Sequence, residues 1–220
     1  MDLITLRAGD AAVELAPEAG GAVTRYWLAR GAETREWLRP TPAGALRAGT
    51  PYRAAAFPLV PYSNRIRAGR FSFRGRAVVE PLNRPPERHA IHGHGWRARW
   101  EPTDVRAEQA RLEYRHPAGA WPWAYHATQR FTLAPSSLTV ELSLTNRSEA
   151  PMPAGLGWHP YFPKRSRSRL HVECSQRWES DATTQLPTRR VTQGSIDGEV
   201  RHLDFDNCFD GWHGPARLRD

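Results

Sequence analysis

A chain of 220 residues with 40% apolar content is long enough to bury an ordinary core, and one domain over residues 1–220 is expected. Two cysteines, Cys174 and Cys208, exclude a disulfide framework, no apolar run reaches membrane-spanning length, and the opening MDLITLRAGD lacks a basic-then-apolar leader, so a soluble cytoplasmic protein is expected. The formal net charge of +8 is almost all arginine, Lys164 being the single lysine, and its scatter reads as a solvated surface rather than a nucleic-acid groove.

Many prolines and few long apolar-periodic runs point to an all-β chain. Leu3–Ala8 and Ala12–Ala16 read as strands joined by a Gly9-Asp10 turn. Gly20-Gly21 breaks the chain before a third strand at Val23–Leu28, and the Pro-, Gly- and Ala-rich residues 39–56 read as a loop. Arg70–Val79 has the pattern of a hairpin turning at Arg74-Gly75. Arg111–His116 and His126–Leu133 are further strands, and the clearest is Ser137–Thr145. There Leu138, Val140, Leu142 and Leu144 alternate with polar residues, which predicts one buried and one wet face. Leu170–Cys174 and Ala216–Leu218 complete the set, no helical period extends over ten residues, and an antiparallel β-sandwich follows. The end, DNCFDGWHGPARLRD, reads as the start of a hairpin with no return strand, which predicts a natural chain that continues past Asp220.

Three stretches carry the chemistry: FPLVPYSNRIR (Phe57 to Arg67), HAIHGHGW (His89 to Trp96) and GLGWHPYFP (Gly155 to Pro163). Each places polar or titratable groups beside glycine, proline and a large aromatic, and they are expected to meet in one pocket for a small hydroxyl-rich ligand. Arg65 offers a permanently charged fork of donors, or else serves the surface; Asn64 adds donors and an acceptor suited to vicinal hydroxyls. His92 and His94 alternate as metal ligands can, but no nearby carboxylate or cysteine completes a set, so a bound metal is not expected. His159, between Trp158 and Pro160, is either a core histidine or a general acid or base. Trp96, Trp158, Tyr161 and Phe162 are either core or a platform for the C–H faces of a sugar ring.

PYSNRI, HGHGW, the Trp121-Pro122-Trp123 region, GLGWHPYF and DNCFDGW, in this order, resemble the aldose 1-epimerase (galactose mutarotase) family along the whole chain. The resemblance implies a large antiparallel β-sandwich of the galactose mutarotase-like supersandwich type. It further implies an isomerase that interconverts the α and β anomers of an aldose, free or phosphorylated, with no cofactor. It assigns Arg65 to sugar binding. His92 becomes the histidine on the ring-oxygen side, His159 the general acid, and Asp206 a ligand of sugar hydroxyls. The family's general base is a glutamate in a segment like C-x-E-P beyond the aspartate motif. Residues 1–220 contain no such segment, and Glu173 does not stand in that context. A carbohydrate-binding protein without turnover, and a metal-dependent barrel using His92 and His94, are the competing expectations.

Overall fold

A computed structural model of the chain describes residues 2–47 and 50–220. Residues 48 and 49, within the predicted loop at 39–56, lie outside the described residues. The chain divides into two compact units, Met1–Pro163 and Lys164–Asp220.

The first unit is built on two antiparallel sheets. One is ordered Ile4–Ala8, Ala11–Ala16, Ala22–Arg30, Ala56–Leu59 and Gly157–Pro160, with Glu33–Glu36 paired to the far half of Ala22–Arg30. The other is ordered Glu101–Val105, Gln109–His116, Tyr125–Ala134 and Ser137–Asn146. Their inner faces form one core, in which Leu6, Val13 and Leu15 of the first sheet meet Leu112, Phe131 and Leu133 of the second. Each such side chain stabilises the fold by about 2 kcal/mol when fully buried.

Residue alternation decides what faces this core. Along Tyr125–Ala134 the odd-numbered residues from Tyr125 to Leu133 are buried, while His126, Thr128, Arg130 and Thr132 stand outward. Ser137–Asn146 shows the predicted alternation, but Leu138, Val140, Leu142 and Leu144 are only half-buried because this strand lies at the sheet edge. Two short ladders complete the unit: Arg65–Ile66 with Ala90–Ile91, and the expected hairpin of Arg70–Phe73 with Arg76–Val79.

In the second unit Arg169–Glu173 lies between Ile196–Glu199 and His213–Arg219, and Gln176–Ser180 lies between Pro187–Thr192 and Phe209–Asp210. The C-terminal strand His213–Arg219 pairs along Arg169–Glu173, with Leu218 opposite Leu170, and lies at the edge of its three-stranded sheet. Helical structure among the described residues is limited to four short 3-10 turns, and no helix is long and apolar enough to cross a membrane.

Candidate functional site

Arg65, His92 and His159 come together within the first unit, each placed by a short piece of strand or a tightly held loop. His159 lies directly opposite Phe57 in the ladder between Gly157–Pro160 and Ala56–Leu59. Alternation sends Trp158 toward the main core and turns His159 the other way, where its ring stacks on Phe57 with centroids 4.9 Å apart. Tyr161 follows on the same side, 4.8 Å from His159, and the Arg39 guanidinium lies 4.4 Å over the Tyr161 ring. Ala22, Ala54, Leu59, Ile91 and Trp96 pack with Phe57 as a second, smaller core beneath these rings.

His92 reaches the same cluster from the 89–96 loop, with its ring 5.6 Å from His159 and 6.4 Å from Phe57. Its backbone is left-handed at φ 61°, as is that of Asn64 at 63°, a conformation costing non-glycine residues of order 1 kcal/mol each. Two reciprocal bonds hold the pair: the His92 N–H donates to the Asn64 carbonyl at 2.9 Å, and the Asn64 N–H donates to His92 Nδ1 at 3.0 Å. A backbone amide can only donate, so Nδ1 is the acceptor and the neutral ring carries its hydrogen on Nε2. Burial lowers the His92 pKa to about 3, helped by the positive charges of His159, Arg65 and Arg84. The ring is therefore an uncharged donor at any working pH.

The loop can take this path only with glycine at 93. Gly93 has φ 68°, and a Cβ there would collide with the Val60 carbonyl oxygen. Asn83 clamps the loop from outside, donating to the carbonyls of Ile91 and Gly93 at 2.7 and 2.9 Å and accepting the Ile91 N–H at 2.9 Å.

Arg65 sits opposite Ile91 in the short ladder, one residue from His92 across the strands. Its Nε donates to Glu87 Oε2 at 3.2 Å, with both side chains about 15% exposed, so the fork is aimed by a half-buried carboxylate. Arg84 lies 4.7 Å over the ring of Tyr52, which in turn packs edge-on against Trp96.

Trp96 is 2% exposed, and its indole N–H points to the carbonyls of Ile91 and Gly93; it lies 6.1 Å under Phe57 as part of the floor. His94, two residues beyond His92, has both ring nitrogens engaged, by Glu80 at 2.8 Å and by the Tyr125 hydroxyl at 3.0 Å. Asp206 belongs to the second unit, exposed on irregular chain between the Val200–His202 turn and Phe209–Asp210, beside Asn207, whose amide donates to the Trp178 carbonyl.

Glu87, Asn83, Arg84 and Phe57 were not singled out by the residue pattern. The available signal was NRPPERH, in which a double proline separates Asn83-Arg84 from Glu87-Arg88 just before the histidine loop. Chemically, the cluster joins one neutral imidazole donor, a second imidazole on an aromatic floor and a tethered guanidinium, which suits recognition and protonation of a neutral polyhydroxyl ring.

A family model described as aldose 1-epimerase matches residues 2–213. The Escherichia coli K12 protein YphB, itself uncharacterized, is 30% identical over 230 residues, covering 99% of this chain and 73% of YphB. A solved structure from E. coli K12, provisionally assigned as an aldose 1-epimerase, has 30% identity and a TM-score of 0.84, covering 100% of this chain and 73% of that one. Galactose 1-epimerase from Lactobacillus acidophilus NCFM shares the fold at a TM-score of 0.73 and 19% identity, with 98% of this chain and 72% of that one covered. The all-β architecture is therefore of the galactose mutarotase-like type.

Proposed function

Because the chain belongs to the aldose 1-epimerase family, and with it to the epimerase-type isomerases, we propose that it interconverts the α and β anomers of a hexose or related aldose. Exchange requires a proton to leave the C1 hydroxyl, taken up by solvent water, while another reaches the ring oxygen. The ring then opens, the aldehyde turns about C1–C2, and closure reverses the transfers.

The observation that supports this reading is the unlike pair of imidazoles on one aromatic floor. His92 has its Nδ1 lone pair committed to the Asn64 amide and presents Nε2–H, so it donates a hydrogen bond to the ring oxygen or a neighbouring hydroxyl without changing charge. His159, stacked on Phe57, is the group that gives the ring oxygen its proton as the C1–O bond breaks. Arg65, aimed by Glu87, and Asn64 engage hydroxyls. Trp96 supports the floor from below.

Polarimetry of freshly dissolved α-D-glucose and α-D-galactose, and of their 6-phosphates, tests the reading. Faster approach to the equilibrium rotation with at least one of them is expected, and loss of that acceleration in His159→Ala. No acceleration with any aldose or aldose phosphate would overturn it.

A further inference from the structure

On the core side of the 89–96 loop lies a chain of polar groups that the anomer exchange does not use. Glu80 follows the Arg76–Val79 strand; its side chain is 3% exposed, and its N–H donates to the Gly69 carbonyl at 2.7 Å. Glu80 Oε2 accepts from His94 Nε2 at 2.8 Å, His94 Nδ1 meets the Tyr125 hydroxyl at 3.0 Å, and the His94 ring stacks on His116 at 4.2 Å. His116 Nδ1 meets the Tyr114 hydroxyl at 2.9 Å.

Burying a carboxylate against an imidazole is a poor way to gain stability, since apolar residues of equal volume usually serve as well or better. Such pairs add direction instead. His92 and Gly93 are consecutive left-handed residues, at φ 61° and 68°, held at Gly93 by an isolated bridge to Val60 and by the Asn83 amide. Immediately after them the N–H groups of His94 and Gly95 converge on one acceptor, the Val60 carbonyl, at 2.7 and 3.0 Å. Rotation of this turn would carry His92 away from Phe57 and His159. The Asn64 and Asn83 contacts oppose it at the main chain, and the His94 side chain, drawn inward between Glu80 and Tyr125, opposes it from the core.

We propose that Glu80 and His94 are positioning residues: their buried contact sets the turn at Gly93 and so presents Nε2–H of His92 to the substrate face. Its kinetic consequence rests on the mutarotase reading, whereas its structural consequence can be measured without any sugar.

Nitrogen NMR of His92 in the whole chain provides the sugar-free measurement, and a single tautomer with hydrogen on Nε2 is expected in the unmodified protein. Glu80→Met removes the acceptor at similar volume. It is expected to let His92 average between tautomers and to lower kcat/KM for mutarotation on the order of 100-fold. His94→Phe keeps the ring and is expected to do the same. Glu80→Gln still offers His94 an oxygen and is expected to restore both the tautomer and the rate. An unchanged His92 signal in folded Glu80→Met and His94→Phe overturns the proposal. Unfolding of both, with Glu80→Gln behaving as the parent, also overturns it, by marking the pair as a stability element only. A tautomer change in a protein that accelerates no sugar would sink the mutarotase reading and leave the positioning role standing.

Discussion

His92 and His94 are two residues apart on one loop, yet their surroundings differ at every atom. His92 is held by main chain, through the Asn64 amide, and its neighbours are Phe57 and His159. His94 is held by side chains, between Glu80 and Tyr125, and its ring stacks on His116. A main-chain partner cannot change protonation, so the His92 ring keeps one tautomer. A carboxylate and a phenolic hydroxyl are side-chain partners that can reorient, which suits a buried anchor better than a group that must present a constant donor. The same residue type thus does two jobs because the chain supplies two kinds of partner.

The largest effect should come from His159, the group proposed to carry the proton. His159→Ala is expected to lower kcat for mutarotation roughly 100- to 10,000-fold, read by polarimetry, with little change in melting temperature. Next is the turn that separates the two sides. Gly93→Ala forces a side chain against the Val60 carbonyl at a left-handed position, and denaturant unfolding should show a loss of about 3 kcal/mol or more.

A smaller effect is expected where recognition depends on geometry rather than charge. Arg65→Lys keeps the positive charge but loses the planar fork tied to Glu87, and KM should rise about tenfold with kcat less affected. An unchanged KM would remove Arg65 from the sugar contacts.

The mildest change concerns acid sensitivity, where the two sides behave alike. The His92 pKa is lowered to about 3, chiefly by burial and then by the charge of His159. The His116 pKa is lowered to about 4, chiefly by burial and then by the charge of His94. The unfolded chain therefore binds more protons at these sites, and their contribution to stability is complete above an ordinary histidine pKa of about 6.5. It is lost as pH falls from there toward 4 for His116 and toward 3 for His92. Unfolding curves at neutral pH and near pH 4.5 should show a smaller acid loss in His116→Phe than in the parent. An equal loss would mean that this ring is not titrating against burial.

Much of the first unit could be read from the chain because its strands alternate. Ser137–Asn146, Tyr125–Ala134 and the hairpin at residues 70–79 each pair apolar with polar positions, and the sheets follow those patterns. Strands without that contrast escaped notice. Glu33–Glu36 is ETRE and lies at an edge, Glu101–Val105 is exposed throughout, and Pro187–Thr192 is almost wholly exposed, so their pairing owes more to neighbouring strands than to burial. The histidines and Arg65 were legible because each stands among glycines, prolines and aromatics. The role of Asn64 in orienting His92 was not, since the group that matters is its amide. Glu87 and Asn83 act across the fold on residues distant in sequence, and no local pattern announces such partners.

The amide lock on His92 has a consequence for how this site can drift over evolutionary time. Asparagine at 64 supplies the bond through an atom common to every amino acid except proline, so glycine or aspartate, which also tolerate the left-handed backbone, would preserve it. The orientation of His92 therefore endures when position 64 trades side chains, and variability there among kindred sequences would bear on hydroxyl recognition while leaving the tautomer of its neighbour unchanged.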